Sequence, residues 1–101
     1  MKMNIQNLMK EAQKMQAELQ KTTEELNKTE YVGSSALVSV KINGKKEILE
    51  VKINNKDDLE KDDLEMLEDM IIVALNDAMK KADSEKEQKL SKYGQGLTGL
   101  M

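Results

Sequence analysis

Hydrophobic positions recur every three or four residues through the first third of the chain. The series steps by 3, 4, 3, 4, 3 and 4 residues along Ile5, Leu8, Ala12, Met15, Leu19, Thr22 and Leu26. This heptad pattern predicts a long amphipathic helix over residues 4–29, because these positions share one side of a helix. At 1.5 Å per residue such a helix would be about 39 Å long. A rod of that length cannot be covered by its own short chain, so we expect a partner surface.

The middle of the chain changes to an alternation of apolar and polar residues, which is typical of β-strands. We predict strands over residues 31–33, 36–43 and 46–54. Asn43-Gly44 lies between the last two and favours a two-residue type I′ turn. Pairing Ile42 with Lys45 then places Val38 opposite Leu49 and puts both apolar rows on one face.

A second amphipathic helix is predicted over residues 62–92. Asp62 can cap its N-terminus, with Glu65 as the partner in a capping box. Gly94 is a plausible terminator, and we expect residues 94–101 to form a flexible tail. The chain is therefore expected to be a single α+β domain over residues 1–93, with a long N-terminal helix, a short antiparallel hairpin or three-stranded sheet, and a C-terminal helix.

Composition indicates a binding protein rather than an enzyme. The chain contains neither Cys nor His, so it lacks a thiol nucleophile, the commonest general base and the commonest metal ligands. The acidic pairs at 57–58 and 62–63 do not follow the order of a calcium loop, and a solvated linker explains them. We predict no catalysis, cofactor, metal or small-molecule substrate. The absence of a signal-like start or a long apolar run favours a cytoplasmic location away from membranes.

A small sheet and a shortage of aromatic residues point to self-association. The chain has two Tyr and no Phe or Trp, whereas it has eight Met. Aromatic residues usually supply much of a small core, so we expect two copies to share apolar surface. The residues predicted to serve packing or dimerisation are Val38, Val40, Ile42, Leu49, Val51, Leu67 and Ile71.

The net charge of −3 hides an uneven distribution of charge. Residues 57–69 hold eight acids against one lysine, whereas the remainder holds fifteen lysines and eleven acids. Lysines recur every seven residues at Lys14, Lys21 and Lys28, which indicates either a phosphate-contacting ridge or a solvated face. A Glu three residues before each of them favours the second interpretation. After Asp77 the second helix has five lysines against three acids, so its distal half is the more basic surface.

The order of several segments resembles a known family. The opening is Asn7-Leu8-Met9-Lys10-Glu11-Ala12-Gln13-Lys14-Met15-Gln16, and Leu37-Val38-Ser39-Val40-Lys41-Ile42-Asn43-Gly44 leads into the hairpin. Met66-Leu67-Glu68-Asp69 then precedes Ala74-Leu75-Asn76-Asp77-Ala78. Together these segments resemble the YbaB/EbfC family of nucleoid-associated DNA-binding proteins over roughly residues 5–92.

The resemblance implies a dimerising domain whose two copies form a tweezer-like homodimer and bind double-stranded DNA in the bacterial nucleoid. It implies coating of duplex DNA with little sequence specificity and an influence on gene expression. The DNA-contacting residues that it implies are Lys10, Lys14, Lys80, Lys81, Lys86 and Lys89. The chain contains no Arg, which favours lysine–phosphate contacts over the reading of bases.

A protein–protein adaptor or small holdase chaperone is the alternative function. Helix–hairpin–helix subunits with exposed Met-rich helices also occur in prefoldin-like chaperones, although this similarity concerns architecture alone. Binding of unfolded protein at apolar positions near the helix tip, such as Ile5 and Leu8, would favour this alternative if DNA were ignored.

Overall fold

The computed structural model describes residues 5–93, which form a helix, a three-stranded sheet and a second helix. The elements are α1 (Ile5–Lys28), β1 (Glu30–Ser35), β2 (Val38–Asn43), β3 (Ile48–Ile53) and α2 (Leu64–Leu90). The sheet is antiparallel with the order β1-β2-β3. The predicted α+β arrangement is confirmed. The flexible tail predicted over residues 94–101 lies outside the described residues.

The core lies between α2 and the first two strands. Val38, Val40 and Ile42 alternate along β2 and are almost completely buried, as the pattern of apolar residues predicts. They pack with the small and apolar residues of one face of α2, which are Leu67, Ala74, Ala78 and Ala82. The alanines are four residues apart, so they form a continuous smooth strip on the helix.

A glycine in β1 allows α2 to approach the sheet closely. Gly33 is buried, and a Cβ atom at this position would overlap the carbonyl oxygen of Ala74 and the backbone nitrogen of Ala78. The backbones of β1 and α2 are therefore nearly in contact. Only a residue without a side chain fits between them.

Two side chains of α2 bind the free edge of β1. The Asp77 carboxylate accepts a hydrogen bond from the Ser34 backbone N–H at 3.2 Å. The Lys81 ammonium group donates to the Val32 carbonyl oxygen at 2.8 Å and lies 3.3 Å from Asp77. These contacts satisfy backbone groups that point away from β2, and so cap this edge of the sheet.

The predicted hairpin register is wrong by four residues. Val38 lies opposite Ile53 instead of Leu49, and Val40 lies opposite Val51. The cause is the turn, which is longer than the predicted type I′ turn. The Asn43 carbonyl accepts a hydrogen bond from Lys46 at 2.9 Å, and Lys46 rather than Asn43 has a positive φ of 65°. The loop therefore has three residues, 44–46, and its last residue is left-handed, which is a common alternative in hairpins.

The third predicted strand begins at Ile48 rather than at 46, because Lys46 belongs to the hairpin turn. The starts of the second strand and of the second helix also differ from the prediction. The second strand begins at Val38 rather than at 36, because Ala36, with φ 39°, belongs to the tight turn after β1. The second helix begins at Leu64 after a short 3-10 turn at Lys61–Asp63. Asp62 is not its cap, since the Asp63 carboxylate accepts the Glu60 N–H at 2.9 Å.

The two helices meet near their C-terminal ends, so that most of α1 projects from the sheet. The Thr22 and Tyr93 hydroxyl oxygens are 3.5 Å apart, and Gly44 at the hairpin turn lies against the Leu26 carbonyl. Residues 5–21 of α1, here called the arm, extend beyond this junction, with Ile5 67% exposed. The protein is accordingly elongated, with principal extents of 75 × 19 × 14 Å.

Candidate nucleic-acid interface

The lysines predicted to contact DNA lie on two helices that run in opposite directions from one junction. Lys10 and Lys14 are exposed on the arm, one helical turn apart on the same side. Lys80, Lys81, Lys86 and Lys89 lie on the last third of α2. At 1.5 Å per residue from the Thr22–Tyr93 junction, the six lysines are spread over roughly 35 Å of the long axis.

Some of the predicted lysines already form ion pairs with carboxylates of the same chain, and others do not. Lys81 is bound to Asp77 and to the Val32 carbonyl, and Lys89 lies 3.4 Å from Glu85. Across residues 5–93, no carboxylate comes within 4 Å of the ammonium groups of Lys10, Lys14, Lys80 or Lys86. Lys80 nevertheless lies close enough to Asp77 to lower the pKa of that carboxylate. Within residues 5–93, three of the six predicted lysines, Lys10, Lys14 and Lys86, are therefore left without a carboxylate partner.

The Glu and Lys residues spaced three apart on α1 do not form ion pairs in the described part of the chain. Glu11, Glu18 and Glu25 precede Lys14, Lys21 and Lys28 by three residues, but no lysine of α1 lies within 4 Å of a carboxylate in the described part of the chain. Lys14, Lys21 and Lys28 are all exposed, so the face is solvated, but its lysines are not paired along the helix. The i,i+3 spacing permits contact, but long exposed side chains lose conformational entropy in forming it, and the gain in water is small.

The α2 lysines do not all face the same way. A helix turns by about 100° per residue, so Lys80 and Lys81 diverge, and Lys86 points to the flank opposite Lys81. Lys81 faces the β1 edge, as its bond to Val32 shows. The region is therefore a basic end of a rod rather than a single strip of cations.

Acidic and basic residues are separated along the same helix. The acidic segment at 57–69 precedes and begins α2, whereas the lysines lie towards its C-terminus and the junction with α1. Asp69 and Lys86 are about 26 Å apart along the axis. This distance exceeds the screening length at physiological salt of about 8 Å, so the acidic end does not cancel the potential of the basic end.

Several tertiary contacts of charged and polar residues were not predicted. Lys46 in the hairpin turn forms an ion pair of 2.6 Å with Asp83 of α2. Burial, together with a hydrogen bond to Glu85, raises the pKa of Tyr31 to about 12. The Ser34 N–H, followed by Lys81, lowers the pKa of Asp77 below its ordinary value. These partners are far apart in sequence, so no local pattern reveals them.

The residues predicted for packing or dimerisation fall into two groups. Val38, Val40, Ile42 and Leu67 are buried within the single chain, and Ile71 is half-buried beside them. Leu49 and Val51, in contrast, are 50% and 47% exposed. Both lie on β3, the strand that α2 leaves largely uncovered.

Neither a metal site nor a membrane span is found in the described part of the chain. Over residues 5–93, no three carboxylates come together in an arrangement that could hold an ion. Neither of the two long helices there is apolar over a stretch that could cross a bilayer.

The fold and its lysine-bearing helices define a small protein of helix–sheet–helix type with a basic end. The sequence profile of the YbaB/EbfC DNA-binding family matches residues 1–97, and the chain belongs to this family. A nucleoid-associated protein of Clostridium novyi is 50% identical over 97 residues, covering 94% of this chain and 84% of that protein. One from Ligilactobacillus salivarius is 36% identical over 100 residues, covering 97% and 95% of the two chains.

A solved structure shares the same fold. The crystal structure of an uncharacterized protein from Helicobacter pylori superposes with a TM-score of 0.68 at 24% sequence identity. The match covers 92% of this chain and 100% of that chain. The arrangement of two helices around a three-stranded sheet is thus common to both proteins.

Proposed function

We propose that this chain is a non-enzymatic, nucleoid-associated DNA-binding protein that coats duplex DNA as a homodimer and thereby influences gene expression. Membership of a DNA-binding family supports the role, as do relatives named nucleoid-associated proteins. The observation that carries the proposal is that Lys10, Lys14 and Lys86 have no carboxylate partner within residues 5–93 and lie well apart from the acidic segment. DNA would be bound in the nucleoid, in the cytoplasm.

The chemistry favours phosphates over bases as the groups contacted. All sixteen cationic residues are lysines, which act as flexible point charges and cannot make the bidentate contact of Arg with guanine. The lysines are spread over roughly 35 Å, which is about one turn of B-form DNA. Contacts with phosphates on successive turns would give affinity with little dependence on sequence.

A homodimer would double this weak interaction. Single lysine–phosphate contacts are modest, and the monomer has an overall negative charge. Two copies that share apolar surface would hold two basic ends in a fixed relation, so that both could contact the same duplex. The exposed apolar residues on β3 and on the arm support such sharing.

A salt titration of DNA binding tests the proposal. If about four phosphates are neutralised per dimer, log K should fall against log salt with a slope of roughly −3.6. Replacing Lys80, Lys81, Lys86 and Lys89 together by Gln should weaken binding to unrelated duplexes equally and flatten the slope. A band-shift assay with several sequences of equal length measures both quantities.

The matched control removes the same amount of charge elsewhere. Replacement of Lys28, Lys45, Lys56 and Lys61 by Gln should leave the slope unchanged, because these lysines lie outside the basic ends. Equal weakening by both quadruple variants would show that net charge alone matters and would contradict the assigned surface. Failure of any duplex to shift at low salt would contradict DNA binding itself.

The adaptor or holdase function is a second candidate, because the arm presents uncovered apolar side chains. Ile5 and Leu8 are 67% and 47% exposed near its tip. Replacing both by Ser should abolish protection of an unfolded client from aggregation if this is the function. It should leave DNA affinity unchanged if the arm acts through its lysines.

A further inference from the structure

The arm of α1 presents a row of apolar side chains to solvent, formed by Ile5, Leu8, Ala12 and Met15 and here called the seam. Ile5 is 67% exposed, Leu8 is 47% exposed and Met15 is 55% exposed, and Ala12 is exposed between them. Packing of an apolar face supplies most of the stability of helices in proteins. A partner that covered the seam would therefore stabilise the arm and remove apolar surface from water.

The base of α1 shows that the chain already covers part of this heptad series. Thr22 and Leu26 continue the series beyond the seam. Leu26 is 5% exposed, and the hydroxyl of the half-buried Thr22 lies 3.5 Å from the Tyr93 hydroxyl at the end of α2. A helix placed on the seam would thus continue a packing surface that α1 already uses within the chain.

Glutamates lie along one flank of the series. Glu11, Glu18 and Glu25 are seven residues apart, and a rotation of about 100° per residue places them about 80° from the centre of the seam. The opposite flank has uncharged side chains, which are Met9, Gln16 and Thr23. Within residues 5–93, no lysine ammonium group lies within 4 Å of the three flanking carboxylates. These carboxylates can therefore pair with cations of a helix that lies on the seam.

Two arms of this chain would not supply those cations to each other. In a parallel pair of helices, the glutamate flank of one arm would face the uncharged flank of the other. In an antiparallel pair, the two glutamate flanks would face each other and repel. Neither pair brings a lysine to the glutamates, because Lys10, Lys14 and Lys21 lie about 140° from the seam. The seam is thus poorly suited to the arm of a second copy.

We propose that the arm binds an amphipathic helix of a different protein, with lysine or arginine along the flank of its apolar stripe. The apolar stripe packs on the seam, and the basic flank pairs with Glu11 and Glu18. This inference rests on the adaptor function given above as the second candidate, and it specifies the chemistry of the partner. Lys10 and Lys14 are exposed on the other side of the arm, so helix binding leaves them accessible to DNA.

Two synthetic three-heptad peptides test the required charge. Both have Leu at positions a and d, and they differ only at positions e and g, where the basic peptide has Lys and the acidic peptide has Glu. Fluorescence anisotropy of the labelled peptides, titrated with the full-length chain, gives the two dissociation constants. The basic peptide should bind about tenfold more tightly than the acidic one, and this difference should shrink at high salt.

Charge reversal in the arm distinguishes the seam from a general attraction of cations to the chain. Glu11→Lys combined with Glu18→Lys should reverse the preference, so that the acidic peptide binds about tenfold more tightly than the basic one. Glu65→Lys combined with Glu68→Lys is the matched control, because it gives the same net charge and changes exposed residues of the acidic segment. This control should retain the preference for the basic peptide.

A second pair of variants tests the apolar contact without a change of charge. Leu8→Ser combined with Met15→Ser should weaken binding of the basic peptide about tenfold, because both side chains belong to the seam. Gln6→Ser combined with Gln13→Ser, on the side of the arm away from the seam, should bind the peptide like the wild type. Band-shift titrations should show unchanged DNA affinity in both variants, since every lysine is retained.

The outcomes separate this inference from DNA binding and from the holdase function. Equal binding of the two peptides, with protection of an unfolded client, would favour the holdase and overturn the basic partner. Binding of neither peptide, or a preference that survives reversal of Glu11 and Glu18, would overturn the assignment of the seam. None of these results bears on DNA binding, which the salt titration measures independently. A preference that reverses only in the arm variant supports the inference.

Discussion

Replacing Gly33 by Ala should destabilise the fold strongly, although the change adds only one methyl group. The new Cβ would lie 2.9 Å from the Ala78 Cα and closer still to the Ala74 carbonyl oxygen and the Ala78 nitrogen. These are backbone atoms of a helix, so no side-chain rotation relieves the overlap. We expect α2 to move about 1 Å away from β1 to restore ordinary contact distances.

The cost can be estimated from what this movement disrupts. Overpacking of a well-filled core costs about 1–3 kcal/mol. The movement also lengthens the Asp77–Ser34 and Lys81–Val32 hydrogen bonds, and together these contribute about 1 kcal/mol at an exposed edge. The free energy of unfolding should fall by about 3 kcal/mol, which corresponds to a Tm lower by about 15 °C in a domain of this size.

Thermal unfolding followed by circular dichroism measures this effect. The protein concentration must be held constant, because association raises the Tm of a dimer. Ser34→Ala is the matched control, since it changes the neighbouring residue but retains the N–H that Asp77 accepts, and its Tm should change by less than about 3 °C. A Gly33→Ala variant that melts with the wild type would refute the close approach of α2 to β1.

Three further predictions concern the groups that bind α2 to the sheet. Lys81→Gln should lower the free energy of unfolding by about 0.5 kcal/mol and barely alter the salt dependence of DNA binding. Lys80→Gln should retain the Tm and reduce the slope of log K against log salt by about 0.9 for each lost phosphate contact. Melting and band-shift titrations of the two variants distinguish these roles. The raised pKa of Tyr31, about 12 against an ordinary 10.0, means that its stabilising contribution is complete below pH 10 and lost as the pH rises towards 12. Denaturant titrations over that range should show a loss of about 2 kcal/mol in the wild type that Tyr31→Phe lacks, and parallel pH profiles would contradict the buried environment of the phenol. The lowered pKa of Asp77 has the opposite sign, since its contribution is present above its ordinary value of 3.8 and is lost as the pH falls further through the folded-state value. Asp77→Asn should therefore show less acid destabilisation than the wild type in unfolding titrations below about pH 4, and an identical acid profile would exclude the Ser34 contact as its cause.

Local patterns predicted the secondary structure because the apolar residues of each element mark the side that is buried. The spacing of three and four residues in α1 and α2 and the alternation in β2 arise from burial of one side, so they can be read without tertiary information. The lysine-rich end of α2 was found in the same way. Which of its lysines are neutralised could not be predicted, since the Val32 carbonyl that binds Lys81 lies 49 residues away.

The hairpin register was mispredicted for a related reason. Asn43-Gly44 suits a type I′ turn. The side-chain oxygen of Asn43, however, accepts hydrogen bonds from the N–H groups of Lys45 and Glu47, and these bonds stabilise a longer loop. Gly44 is required for another purpose, because a Cβ there would overlap the Leu26 carbonyl at the end of α1. The packing of the hairpin turn against α1 therefore outweighs the local preference of Asn43-Gly44 for a type I′ turn.

The amino-acid sequence alone determined the order and kind of the elements, the acidic and basic ends of α2, and the surplus of apolar surface. These are properties of composition and periodicity, to which each residue contributes without reference to distant ones. Only the tertiary structure decided the register of β3, the capping of the β1 edge by Asp77 and Lys81, and the exposure of Val51 on the opposite edge. These features depend on distances between residues that are remote in sequence, and the close packing of α2 on Gly33 establishes those distances.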